Sequence, residues 1–245
     1  MMTRRFFASA VVWSLATSLP AEDAESLLRK VDATRNAFEE AVITARASQV
    51  ADGRVTGGAD FDIYVKGRSR AVIVFRGGKN DGRKILTAGD RMWLLVPGAS
   101  NPVPITANQR LMGGASIGDV ARLRFAEDYE AKPTGETERV EGRTCRLLEL
   151  KARSPKLPYP RVVLSIDEAA ELPCKAIFHL PSGKPAREIV FTKFGTSGGK
   201  TVVEEMLVRD LLGRESRAVT RLEYLRYRSA RIDDAVFTPE GARGL

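Results

Sequence analysis

The sequence predicts a mainly β protein, built as one antiparallel sheet with a few helices packed on it. Three observations carry this. Short runs of about 8 to 14 residues with apolar alternation or dense apolar character follow one another from residue 39 to residue 228. Turn residues such as Pro158, Gly183, Gly198-Gly199 and Gly213 separate them. The alternating helices that a parallel sheet needs for its crossovers are missing, so the connections read as a meander.

The chain of 245 residues is 43% hydrophobic and 29% charged, which is globular composition and long enough for one sizeable domain. No composition break divides it, and no repeat of solenoid period is present. Its start reads as a leader. "MMTRRFF" is a basic n-region, "ASAVVWSLATSL" an apolar h-region, and "LPA" a small-residue end before "EDAE". Residues 1–21 are therefore expected to be a signal peptide, with residues 22–245 as the single exported domain. The formal charge of +8 loses Arg4 and Arg5 with the leader, leaving about +6. Export makes nucleic acid an unsuitable partner for that charge, and the cations read as a solvated sheet surface.

Element by element, "EDAESLLRKVDATRNAF" is helical, with Ala24, Leu27, Leu28, Val31 and Phe38 on one side and acids at its start. Strands follow in "EEAVITARASQV", in "ADFDIYVKG" (Phe61, Ile63 and Val65 on one face) and in "SRAVIVFRGG" (Ala71, Ile73 and Phe75 opposite Arg70 and Arg76). "GRKILTAGDRMWLLVPG" reads as two strands joined at Gly89-Asp90. Residues 101–129 break the rhythm, and the spacing of Ile117, Val120, Ala121 and Phe125 predicts a short helix or two. Strands then resume in "RTCRLLELKA", "YPRVVLSID", "LPCKAIFHLPSG", "AREIVFTKFG", "KTVVEEMLVRD" and "ESRAVTRLEYLRYR".

Cys145 and Cys174 fall on two of these strands with one strand between them. Strands two places apart in a flat sheet are about 9–10 Å apart, beyond the roughly 7 Å a disulfide spans. Two buried thiols are the plainer reading, and a strongly curled sheet would allow a disulfide instead.

Gly114-Ala115-Ser116-Ile117-Gly118 spells the G-x-S-x-G of a hydrolase elbow, followed in order by Asp167 and by His179, the chain's one histidine. The context is wrong for it. "ITANQRLMGG" before the serine is no buried strand, and His179 sits inside a strand. With Asp119 three residues on, Ser116 reads as a helix cap. One histidine and two separated cysteines make no ordinary zinc site. The glycines at 77–78 and 198–199 lack a P-loop's flanks. No catalytic residue, cofactor or metal is expected, and the chain is read as a non-enzyme.

"MWLLV", "VVL", "AIF" and "IVF" hold more apolar bulk than one sheet face needs. Helices covering that surface loosely would leave a dry cleft suited to acyl chains, and helices covering it tightly an ordinary core. "DRMWLLVPGASNPVPITANQRLMGGASIGDVARL" resembles the characteristic segment of LolA-like outer-membrane lipoprotein-sorting proteins. "YPRVVLSIDEAAELPCKAIFHLPSGK" and "IDDAVFTP" are similar to later parts of that family, in the same order.

The resemblance implies a single antiparallel, strongly curved open β-barrel (a half-barrel) with helices covering its concave face. It implies a periplasmic carrier for lipoprotein or lipid acyl chains, working between an inner-membrane releasing complex and an outer-membrane acceptor. Relatives of the same fold instead act as lipid or envelope-stress sensors that regulate a membrane partner, which is the alternative here. The expected cleft lining is Phe61, Ile63, Val65, Ala71, Ile73, Phe75, Met92, Leu94, Phe178, Met206 and Val208. The expected lid is Leu27, Leu28 and Val31 of the first helix, with Met112, Ile117 and Val120. The family's carriers hold the lid with a strand arginine, a role open here to Arg70 and Arg76.

Overall fold

The computed structural model of the chain describes residues 21–106, 109–112, 115–118, 124–213 and 219–245. The expected leader lies outside these residues, apart from its last position. The chain opens with helix α1 (Ala21–Arg35) and runs out through β1 (Glu40–Ala51), β2 (Arg54–Lys66), β3 (Arg70–Arg76), β4 (Lys84–Ala88), β5 (Arg91–Leu95) and β6 (Val103–Ile105). A small separate hairpin, β7 (Arg110–Met112) and β8 (Ala115–Ser116), leads to the one-turn helix α2 (Phe125–Asp128). The second half is β9 (Tyr129–Val140), β10 (Arg143–Ala152), β11 (Arg161–Asp167), β12 (Leu172–His179), β13 (Pro185–Ser197), β14 (Lys200–Asp210) and β15 (Val219–Ser229), then helix α3 (Pro239–Arg243).

Thirteen of the strands form one sheet in the order β6-β5-β4-β3-β2-β1-β15-β14-β13-β12-β11-β10-β9. Every neighbouring pair is antiparallel. The two halves meet where β1 pairs β15, from Ala41 opposite Ser229 to Val50 opposite Val219. The sheet does not close, because β6 and β9 remain its edges. Hairpins at Asp52-Gly53 (φ 48° and 74°) and Gly198-Gly199 (φ 54° and 74°) put both central residues in the left-handed region. That backbone twist matches the twist of the flanking strands.

Alternation decides the faces. On β2, Phe61 and Ile63 are buried on the concave side, where they join Leu28, Ile73, Leu148, Leu164, Phe191 and Met206 in one apolar cluster. Their neighbours Asp60 and Asp62 pair on the convex side with Arg46 at 2.7 Å and Arg76 at 2.9 Å. The dense "VIVF" of β3 is buried on both faces, and the reason is the C-terminal segment. Ile232, Phe237 and Ala242 cover Val72, Val74, Leu86 and Leu95 on the convex side. Asp233 caps the short turn of helix there by accepting from the Ala235 N–H at 2.9 Å, and Thr238 caps α3 by accepting from Gly241 N–H at 3.1 Å. A Cβ on Gly241 would stand 1.9 Å from the Ala235 carbonyl oxygen, so this fold-back requires glycine.

Three expectations are corrected. Strand β9 was not foreseen, because Pro133, Gly135 and a run of exposed polar residues hide its alternation, and it survives as an edge where proline is tolerated. Residues 101–129 hold β6 and the β7–β8 hairpin as well as short helix, so Met112 ends a strand; Val120 lies outside the described residues. Cys145 and Cys174 are joined as a disulfide with Cα atoms 6.7 Å apart. Ser165 pairs Lys175 while Ile166 pairs Pro173, which leaves Cys174 as the extra residue of a bulge. At this point the two Cα atoms stand closer than the spacing of a flat sheet allows.

Phe237→Ala should lower the unfolding free energy by about 3 kcal/mol or more, as removal of a buried aromatic ring does. Denaturant titration checks this. A loss under about 1 kcal/mol would mean that the C-terminal segment is not an integral cover of the convex face.

Candidate functional site: the hollow beneath the first helix

Helix α1 presents Ala24, Leu27, Leu28 and Val31 to the sheet, none more than 7% exposed. It lies across the concave face, in contact with β9, β12, β14 and α2. Polar groups tie it down at intervals. Glu25 accepts from the Ala131 N–H of edge strand β9 at 2.9 Å and from the Arg153 guanidinium at 3.0 Å. That satisfies an otherwise open backbone donor on the sheet edge. Lys30 pairs with Glu171, and the Arg35 guanidinium lies 5.0 Å from the centroid of the Tyr224 ring.

The central tie is Asp32, only 5% exposed, whose carboxylate accepts from the Phe125 N–H at 3.1 Å at the start of α2. Burial pushes its pKa up to about 6, against the pull of the Phe125 and Ala126 amides and of Arg68; Glu127 adds to the rise. Helix α2 is in turn fixed to the sheet. Glu127 receives Arg68 of the β2–β3 turn at 3.1 Å, and Arg124 donates to the Arg68 carbonyl at 3.2 Å. The chain of contacts runs α1, α2, β2–β3 turn.

Two cavities flank this tie. The larger, about 660 Å³, opens between Met92 and Ile105 on one side of the half-barrel and Tyr129, Leu157, Tyr159 and Phe178 on the other. Its volume is in the range of a small-molecule site. Phe178 packs on Tyr159 with ring centroids 5.2 Å apart and on Phe125 at 6.2 Å, forming an aromatic wall. Asp90, Glu127, Arg153 and Lys156 add charged groups to its lining. The smaller cavity, about 250 Å³, has a floor of Ile43, Ile63, Val65 and Ala71. Arg124 borders both.

The residues expected to line a cleft are distributed as follows. Met92 and Phe178 border the larger cavity, and Ile63, Val65 and Ala71 the smaller. Phe61, Ile73, Phe75, Met206 and Val208 are buried in the concave cluster together with Leu27, Leu28, Val31 and Ile117 of the expected lid. Leu94 packs against that cluster, half-buried. Neither strand arginine holds the lid. Arg70 bonds Asp234 at 2.9 Å and lies over the Phe237 ring, and Arg76 bonds Asp62, both on the convex side. Asp32, Arg124 and the aromatic wall of Tyr129 and Tyr159 were not foreseen. One signal was available: Asp32 follows Leu28 by four residues, so a carboxylate interrupts the apolar stripe of α1.

Ser116 borders the larger cavity, and its hydroxyl accepts from the Arg187 guanidinium at 2.6 Å. That group is a permanent cation and no general base. It immediately precedes Ile117, where helical geometry begins; Asp119, its expected capping partner, lies outside the described residues. Asp167 accepts from Ala170 N–H in the β11–β12 turn, and alternation turns His179 away from the face that Phe178 lines. Burial and the neighbouring Arg161 hold the imidazole below its usual pKa. Among the described residues no group of three or more His, Cys, Asp or Glu is placed to hold a metal ion, and no helix is long and apolar enough to cross a membrane.

Residues 67–241 match a protein family described as "Uncharacterized protein". The chain belongs to that family. No curated protein is similar to it in sequence. Among solved structures, a LolA superfamily protein from Nitrosomonas europaea is similar over 89% of this chain and 98% of its own, at 24% identity and a TM-score of 0.79. A DUF1329 family protein from Desulfovibrio piger matches over 90% and 98%, at 20% identity and a TM-score of 0.76. A Vibrio parahaemolyticus domain described as an outer membrane lipoprotein-sorting protein matches over 91% and 100%, at 14% identity and a TM-score of 0.76. The fold is LolA-like: an unclosed antiparallel sheet with helices on it.

Because the folded pKa of Asp32 lies above its unfolded value, the stability this group contributes is complete below about pH 4 and is lost as pH rises through about 6. Asp32→Asn should therefore gain on the native protein between pH 4 and 7, by up to about 3 kcal/mol, and stay level above that. Thermal or denaturant unfolding of both proteins across that range measures the difference. A difference independent of pH would contradict a buried, titrating Asp32.

Proposed function

We propose that the chain is a periplasmic carrier that shields lipoprotein or other lipid acyl chains in the hollow beneath α1, without covalent chemistry. The observation that carries this is the position of α1. An amphipathic helix, tied to the rest of the fold through a few polar contacts, covers the apolar concave face beside a 660 Å³ cavity with an aromatic wall. The expected leader and the disulfide, which suits an oxidising compartment, support export.

The energetics allow exchange of helix for cargo. Leu27, Leu28 and Val31 together contribute about 5–9 kcal/mol of burial. A chain of roughly ten methylenes contributes about 8 kcal/mol on the same scale, so one or two acyl chains can replace what the helix gives up. Leu27, Leu28, Val31 and Ile117 then serve as lid. Phe61, Ile63, Val65, Ala71, Ile73, Phe75, Met92, Leu94, Phe178, Met206 and Val208 become the lining as the lid moves away. Met suits chains of variable shape, since its flexible side chain adapts with little loss of contact. The partners that the LolA-like resemblance brings with it are an inner-membrane releasing complex and an outer-membrane acceptor.

Organic extraction of the natively purified protein, followed by mass spectrometry, should release acyl lipid in near-stoichiometric amount. Leu157→Asp, a change in a half-buried loop residue of the cavity wall, should weaken binding of a fluorescent acyl probe at least tenfold while leaving the thermal midpoint nearly unchanged. Protein that carries no lipid and takes up no probe would sink the carrier reading.

A further inference from the structure

The smaller cavity differs from the larger in its charge. Arg35, Arg68, Arg124 and Lys200 border its apolar floor, against one bordering carboxylate, Glu39. Arg70 also borders it but directs its guanidinium to Asp234 and the Phe237 ring. Two of the four cations are partly offset by α2. Glu127 takes both Arg68 at 3.1 Å and Arg124 at 2.7 Å, and Asp128 stands 3.6 Å from Arg124. Lys200 is held differently. Its ammonium donates to the Ala37 carbonyl at 2.7 Å and lies 5.3 Å from the centroid of the Phe38 ring, neither of which cancels its charge. Arg35 lies against Tyr224.

Size separates the roles of the two cavities. About 250 Å³ is below the range of sites that enclose a whole small molecule and fits a headgroup, whereas 660 Å³ accommodates a chain. Arg124 borders both, so they are adjacent. We propose that the smaller cavity receives the anionic head, phosphate or carboxylate, of an amphiphile whose acyl chain lies in the larger one. Charge-assisted hydrogen bonds from Lys200 and the arginines hold the head, and the aliphatic floor accepts the first methylenes beyond it. The inference rests on the acyl-binding reading above and adds selection by headgroup charge.

The test is calorimetric titration of the mature protein, at low salt and below micellar concentrations, with lysophosphatidylglycerol, lysophosphatidylcholine and a fatty acid of one chain length, and with glycerol phosphate. At least one anionic amphiphile should bind about tenfold or more tightly than the zwitterionic lipid, which of the two distinguishing a phosphate from a carboxylate head. Lys200→Gln should bring the charged and zwitterionic lipids within about threefold of each other, with no change in thermal midpoint. Equal binding of all three lipids by the native protein overturns the headgroup site while leaving acyl carriage intact. An unchanged preference in Lys200→Gln, or glycerol phosphate binding as tightly as the lipids, overturns it as well. Failure of every amphiphile to bind is the separate result that removes the carrier reading itself.

Discussion

A curled sheet of thirteen strands has a concave face made almost wholly of aliphatic and aromatic side chains, and that face has to be kept from water. Much of the rest of the structure follows from how this is done. The strands cannot seal it by closing, because β6 and β9 stay apart. A single amphipathic helix does much of the work, with Ala24, Leu27, Leu28 and Val31 as its contribution to the cluster. One helix is narrower than the face it covers, and cavities remain on either side of its central tie. The convex face meets the same demand differently. There Phe237 and Ile232 of the C-terminal segment seal β3 and β4.

The polar contacts divide along the same line. On the convex side they are short cross-strand pairs such as Arg46 with Asp60, exposed and of small energetic weight. Among the ties of α1 the Asp32 contact is buried, and it is costly. Asp32 is ionised at neutral pH only against the desolvation that raises its pKa to about 6. A neutral residue would hold the helix at least as firmly. A helix secured in part by a contact that works against itself is easier to release than one secured by apolar packing alone, as the proposed exchange for cargo requires.

Much of this was legible in the sequence, for reasons that particular residues show. Period-two alternation placed Phe61 and Ile63 opposite Asp62 and Tyr64, and the structure keeps that division. On β3 the alternation read Ala71, Ile73 and Phe75 against Arg70 and Arg76, and the burial of Val72 and Val74 between those arginines was hidden because the covering segment at Ile232–Ala242 gave no sign of where it would pack. Strand β9 was hidden because edge strands need no apolar alternation. The disulfide was obscured because flat, regular spacing puts strands two places apart beyond its reach, whereas Cys174 sits at a register irregularity with its Cα 6.7 Å from that of Cys145. The ties of the candidate site were least legible. Asp32, Arg124 and Arg68 are far apart in the chain, and only the topology brings α1, α2 and the β2–β3 turn together.

The central claim is that α1 is an exchangeable cover, and amide hydrogen exchange reads that directly. With the mature protein saturated by an acyl ligand, amides of Leu27 to Arg35 should exchange faster than in the ligand-free protein, while those of β1 and β15 stay protected. Exchange in α1 that is slowed or unchanged by bound ligand would contradict it, because the helix would then be a fixed part of the core.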